Sequence, residues 1–241
     1  MREVLTFGRY FRKKHSKKIK KIPLNISGFT CPNIDGSKGF GGCSFCQNES
    51  FSPNLHHKSN SFTLDFSTKT NQILDKQLQE IEEQYKASVD KYRSLGYEKF
   101  IPYFQSYTNT YAPIETLRVL YDKATNLKDA IGLSIGTRAD SIDEDRMKLI
   151  ASYQHDLSEV WVEVGVQSIF DATLESINRK ERIEDIEQKI KNIKTSGLKI
   201  CVHLIYGLPN ETQNMMLESL KKMVDLNVDS IKIHPLYVVE K

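Results

Sequence analysis

Short runs of β-branched and aromatic residues alternate along this chain with stretches whose apolar positions recur every three or four residues. The runs at 21–27, 99–105, 130–136, 159–166, 198–207 and 229–236 read as strands. Between residues 68 and 95, Leu74, Leu78, Ile81, Tyr85, Val89 and Tyr92 keep one helical face, and Gly96 is placed to stop that helix. Further helices are predicted at 114–124, 143–153, 170–177 with 183–196, and 211–226, whereas 49–60 has no period and reads as loop. Strict alternation implies a parallel sheet with helical crossovers. Six strands fit either a doubly wound sheet or an open, partial TIM-type barrel, and spacing alone does not separate them. The sixth strand is followed only by "YVVEK", so no crossover helix covers it and an exposed apolar edge is expected.

Composition narrows the class. With 241 residues, 39% hydrophobic and 27% charged, the chain is long enough for one large domain. It has neither an apolar run long enough to span a bilayer nor a secretory leader, so a soluble, cytoplasmic protein is expected. Three of the four cysteines fall within 16 residues, which favours metal binding in a reducing compartment over a disulfide framework.

Charge divides the chain into an arm, 1–21, and a body, 22–241. The arm carries nine Lys/Arg against the single acid Glu3, and the body 25 against 30. The stretch "RYFRKKHSKKIKK", with Tyr10 and Phe11, suits an RNA phosphate backbone with bases stacked on the rings. The competing reading is a solvated, partly mobile arm.

Directly after the first strand comes "CPNIDGSKGFGGCSFC", in which Cys31, Cys43 and Cys46 are spaced C-x11-C-x2-C. Three thiolates leave one ligand position empty, whether the metal is a single zinc ion or a four-iron cluster. His56 or His57 would complete a Cys3His zinc site, making the chain a zinc-stabilised nucleic-acid-binding module. Structural zinc loops, however, come as two close ligand pairs. Gly36, Gly39, Gly41 and Gly42 let the backbone wrap closely and aim N–H groups inward, which a sulfide cluster with net negative charge requires. The cluster is the better reading.

This loop, with Phe45 before its last cysteine, resembles the radical S-adenosylmethionine (SAM) superfamily. Together with "YFQSYTNTYAP", "LSIGTRAD", "WVEVGVQS" and "LIYGLPNET" it is similar to the YhcC-like branch, related to the radical SAM core of the Elongator catalytic subunit. The resemblance runs from about Tyr10 to the last residue, with five motifs in order. It implies a partial (βα)6 barrel in which Cys31, Cys43 and Cys46 hold a [4Fe–4S] cluster and SAM chelates the fourth iron. Electron transfer from the cluster then cleaves SAM to methionine and a 5′-deoxyadenosyl radical. Such chemistry implies an external donor of flavodoxin or ferredoxin type. Relatives continue past this chain's last residue, so the resemblance implies a missing C-terminal extension, and those in the Elongator branch act on tRNA, which makes RNA a candidate substrate.

Carried onto this sequence, the family pattern nominates further residues. Phe45 belongs to the cofactor site. Gln105, Ser106, Thr108 and Asn109 would cradle the SAM amino group, with neutral oxygens in place of the usual carboxylate. Arg138 would pair with a carboxylate of SAM or substrate, or else with Asp140 or Asp143; Ala139 stands where relatives commonly have Pro. Glu163 would bind the ribose, with Gln167 and Ser168 near the sugar, unless a lysine claims the carboxylate instead. Glu163, Gly165 and Gln167 alternate and so share a strand face. Gly207 and Pro209 would offer backbone to adenine. His203 and His234 are each either substrate contacts in the barrel lumen or core histidines, and Cys201 reads as a small buried hydrophobe.

Overall fold

The computed structural model describes residues 4–47 and 71–238. Its elements in chain order are α1 (Phe7–His15), β1 (Ile19–Leu24), α2 (Leu74–Ser94), β2 (Lys99–Phe104), α3 (Ile114–Thr125), β3 (Gly132–Thr137), α4 (Glu144–Ser152), β4 (Glu159–Gln167), α5 (Asp171–Ser176), α6 (Ile183–Thr195), β5 (Lys199–Tyr206), α7 (Gln213–Asp225) and β6 (Ser230–Pro235). All six strands pair in parallel, in the order β1-β2-β3-β4-β5-β6. That order settles the architecture. A doubly wound sheet reverses strand order at a switch point. A monotonic order with right-handed crossovers puts every crossover helix on one face, and the strand twist curls the other face into a lumen. The result is the partial (βα)6 barrel, with β1 and β6 as its two edges.

Alternate strand positions face opposite ways. The outward set, including Ile22, Phe104, Ile135, Val162 and Val202, is buried beneath the helices in one continuous core. α2 packs on β1 through Ile81, Tyr85 and Val89. Gln77, on the same face, is also buried: its side-chain amide donates to the Ser27 carbonyl at 2.6 Å, which fixes the chain as it leaves β1. Side-chain caps start α1, α4 and α7, where Thr6, Asp143 and Thr212 accept from the backbone N–H three residues on. Gly96 follows α2 with φ +80°, a stop that favours glycine.

Observed elements fall within about two residues of those read from periodicity, with two exceptions. The long helix begins at Leu74 rather than 68; residues 68–70 lie outside the described segments, as does the loop at 49–60. At the other exception, the segment read as arm contains α1 and the start of β1, which runs Ile19–Leu24 rather than 21–27. Phe7, Tyr10 and Phe11 share a face of α1, and the first two rings meet Trp161 edge-on at 5.2 and 6.0 Å. Their signal is hidden in the sequence by the lysines and arginines between them. Lys14 and His15 both reach Glu159 Oε1 at 2.7 Å, and Lys199 and Trp161 reach Oε2 at 2.8 Å. These contacts hold α1 against the N-terminal end of the barrel, so this part of the arm is not a solvated tail. At the other margin Ile233, Tyr237 and Val238 are exposed, on and just beyond the edge strand β6.

Candidate functional site

The C-terminal strand ends open into a cavity of about 420 Å³, lined by residues from the cysteine loop and from β2 to β6. Cys31, Cys43 and Cys46 all face it; the first two are buried and Cys46 is exposed. The loop is shaped by its own backbone, with Ile34 N–H bonded to the Cys31 carbonyl at 2.8 Å and Gly42 N–H to Asn33 at 2.8 Å. Gly41 and Gly42 take φ of +77° and +73°, a left-handed pair that brings Cys43 back beneath the loop. The turn between α5 and α6 anchors it from outside. Ser44 N–H donates to the Ile177 carbonyl at 3.0 Å, and Asn178 Nδ2 donates to the Gly42 carbonyl at 2.7 Å.

Cys43 has two donors aimed at its sulfur, Asn33 Nδ2 at 3.5 Å and Arg179 Nη1 at 3.9 Å. Donors of this kind suit a thiolate that carries metal charge. Among the described residues, the one trio of ligating groups whose donor atoms all lie within 4.8 Å of one another is Glu163, Cys201 and His203. The three loop thiols are set wider, whereas ligands of one tetrahedral zinc sit ~3.8 Å apart. The donor set fits a multi-iron cluster; His56 and His57 lie outside the described residues.

Around the cavity, two strand ends are locally strained. Ser106 and Tyr107 both have positive φ, +69° and +59°, and Gln167 has +71° where the β4–β5 register shifts by a bulge. These departures turn Gln105, Ser106, Thr108 and Gln167 onto the cavity wall, beside Phe45. Asn109 is buried behind that wall, its Nδ2 bonded to the Ser106 and Gly136 carbonyls at 2.9 and 3.2 Å. Ser168 turns away too and bonds Glu211, while Gly207 (φ +92°) and Pro209 form the β5–α7 turn outside the cavity lining.

Arg138 lines the cavity with 2% exposure and is bound to Asp140 at 3.0 and 2.7 Å, the first of its alternative acidic partners. Its Nη1 has no hydrogen-bond partner. Burial raises the Asp140 pKa, but the Arg138 guanidinium outweighs this and holds it at about 2. Glu181 joins Arg138 (3.2 Å) to Arg179 (2.7 Å), so two guanidiniums are locked side by side near the cysteine loop.

Glu163 also lines the cavity, and both its oxygens are engaged. Oε1 accepts from Lys21 Nζ at 2.5 Å and from Ser134 Oγ at 2.6 Å; Oε2 accepts from His203 Nε2 at 2.7 Å. The lysine pair, the alternative reading of this carboxylate, is what the structure contains. Burial opposes ionisation of Glu163, yet the Lys21 charge and the His203 hydrogen bond keep its pKa well below the usual carboxylate range. His203 and His234 face the lumen, with ring centroids 5.3 Å apart. Cys201 is fully buried, and burial followed by the Glu163 charge pushes its thiol up to about 11.

The sequence matches the radical SAM superfamily over residues 38–223. The chain belongs to that superfamily. The uncharacterized protein MJ0486 of Methanocaldococcus jannaschii is 36% identical over 97% of this chain and 66% of its own length. Protein YhcC of Escherichia coli is 34% identical over 97% of this chain and 68% of its own. The chain thus spans about two thirds of the length of these relatives. Among solved structures, Methanocaldococcus infernus Elp3 with its N-terminus deleted superposes with a TM-score of 0.60, covering 92% of this chain and 46% of that one. At 20% identity, that likeness concerns the fold.

Four residues in or directly below this cavity escape sequence reasoning: Lys21, Tyr103, Arg179 and Lys232. Lys21 is disguised as one more charge in a basic run, and Arg179 lies in an interhelical turn far in sequence from the cysteines. The one available signal is alternation, which places Lys21, Tyr103 and Lys232 on the lumen faces of their strands.

Proposed function

We propose that this protein is a radical SAM enzyme that holds a [4Fe–4S] cluster on Cys31, Cys43 and Cys46 and binds SAM in the adjoining cavity. The observation that carries this reading is that three cysteines from one loop and polar strand-end residues of β2, β3 and β4 line one continuous cavity. When bound, the cluster supplies one electron to SAM, whose S–C5′ bond breaks to give methionine and a 5′-deoxyadenosyl radical that abstracts hydrogen from substrate.

The chain's own residues bind, orient and insulate. Gln105, Ser106 and Thr108 offer neutral acceptors for an ammonium. Arg179, with its Nε unpartnered and its Nη1 beside Cys43, and Arg138, with a free Nη1, offer guanidiniums for a carboxylate. Gln167 offers hydrogen bonds to a sugar. Phe45, Ile34 and Ile205 add apolar wall, which keeps water from a reactive radical. Cys46 is the exposed cysteine, and an external donor of flavodoxin or ferredoxin type would approach the cluster on that side. The basic helix α1 lies at the opposite end of the barrel, so RNA held by it would occupy a surface separate from the cavity.

Anaerobic reconstitution tests this directly. The protein should bind one [4Fe–4S] cluster and SAM, and release 5′-deoxyadenosine with dithionite. A loaded cluster with no SAM binding at equilibrium would replace the enzyme reading with a structural or electron-transfer cluster.

A further inference from the structure

Interiors of (βα) barrels are filled mainly by branched aliphatic side chains. This one is not. Below the cysteine loop the lumen holds Lys21, Tyr103, Glu163, His203, Lys232 and His234, and five of these six also line the cavity. Register sets Gly165 beside His203 and His203 beside Lys232, while Ile205 lies beside His234. Small residues make the room: Gly136 and Gly165 carry no side chain where β3 and β4 border the cavity. A Cβ on Gly165 would come within 2.7 Å of Gln167 Nε2.

Charge in this lumen is unbalanced. Glu163 is the acid here, and Lys21 already neutralises it at 2.5 Å. Lys232 has no hydrogen bond or ion pair among the described residues; its ammonium lies 5.4 Å from the Tyr103 ring and acts on Glu163 and the two histidines through its charge alone. Burial lowers the His234 pKa, and the Lys232 charge lowers it further, to about 4. Burial also lowers the His203 pKa, although Glu163 pulls against it. Two ammoniums, Lys21 and Lys232, thus face one carboxylate in the lumen, flanked by two imidazoles.

A cation is the wrong occupant. The donor atoms of Glu163, Cys201 and His203 are close enough to share a metal. However, an ammonium already sits on that carboxylate, the thiol is held protonated, and Lys232 adds repulsion.

We infer that the lumen wall formed by β5 and β6 binds an anionic group of the substrate, a carboxylate or a phosphate, with Lys232 as its counter-ion and His234 as a flanking hydrogen-bond donor, while the His203 N–H stays on Glu163. This deepens the proposed radical SAM reading, on which it rests for the word substrate. The guanidiniums of Arg138 and Arg179 near Cys43 are placed for the carboxylate of SAM, so the β5–β6 wall is left for a second anion.

The test uses the reconstituted chain with SAM present, titrated calorimetrically with inorganic phosphate and, separately, with acetate. One anion should bind at one equivalent per chain, and its identity distinguishes the two sources. Lys232→Gln should weaken that binding at least tenfold, and Lys232→Arg should restore most of it. His234 ring resonances should shift on anion addition in the wild type and not in Lys232→Gln. The inference is overturned if neither anion binds to protein that binds SAM, or if Lys232→Gln binds as the wild type does. Loss through Arg179→Gln with Lys232→Gln unaffected would also overturn it, by placing the anion at the cysteine end. If the protein binds no SAM yet shows Lys232-dependent anion binding, the radical SAM reading falls and the anion site stands.

Discussion

Lys21 of β1 and Glu163 of β4 meet across the barrel lumen, ammonium to carboxylate at 2.5 Å, although two strands separate them in the sheet. Around the ammonium stand the rings of Phe7 at 4.2 Å, Trp161 at 5.4 Å and Tyr103 at 5.5 Å. A curled sheet brings these groups together; a flat one would hold them apart.

Breaking this pair should cost more than removing it. Glu163→Gln leaves the Lys21 charge partly buried and is expected to destabilise the fold by ~3 kcal/mol. The double variant Lys21→Met with Glu163→Gln should lose less than the sum of the single losses. A urea double-mutant cycle measures the coupling, and strict additivity would show that the two groups act independently.

Cluster absorbance should vanish in Cys31→Ala, Cys43→Ala and Cys46→Ala and persist in Cys201→Ala. Cys201 lies deep in β5 and is not part of the cavity lining, so its loss costs packing alone. Ultraviolet–visible spectra and iron counts after anaerobic reconstitution read the difference. An iron-free Cys201→Ala protein that is otherwise folded would contradict the ligand assignment.

Arg179→Gln removes a positive charge and a donor from the Cys43 sulfur. The cluster should become harder to reduce by ~60 mV, equivalent to ~1.4 kcal/mol for one electron. SAM affinity should fall as well, because the same guanidinium faces the cavity. Redox titration followed by electron paramagnetic resonance provides the first number and equilibrium binding the second.

Glu159 should govern the acid limb of stability. Burial raises its pKa, but hydrogen bonds from Lys14, Lys199, His15 and Trp161 outweigh this and set it at about 2 in the fold, against 4.5 for the free group. A depressed carboxyl pKa contributes stability above the unfolded value and loses it as pH falls through the folded one. The contribution, ~3 kcal/mol at neutral pH, should therefore disappear between about pH 4.5 and pH 2. Glu159→Gln should be less stable at pH 7 and show a shallower decline across that window in urea titrations.

Much of this protein is legible in its sequence, for local reasons. Strands and helices follow from hydrophobic period, because a half-buried strand must alternate and a half-buried helix must repeat every three to four residues. Three cysteines with glycines between them have the make-up of a soft-metal loop, because thiolate donors and tight backbone wrapping are properties of a short segment. The motif order then points to the superfamily. Where local signals conflict, the sequence misleads: the apolar face of α1 is submerged in lysines and arginines, so a packed helix reads as a charged arm.

What only the tertiary structure decides is which distant groups share space. Periodicity leaves the barrel and the doubly wound sheet equal, and strand order separates them. Glu163 reads as a ribose ligand or as half of an ion pair, and the barrel's curl delivers Lys21 to it from 142 residues away. Arg179 acquires meaning only when the α5–α6 turn folds against the cysteine loop, and Lys232 only when the lumen around it holds no acid to spare. Period and motif are set by neighbours along the chain, whereas charge balance inside a cavity is set by neighbours across it.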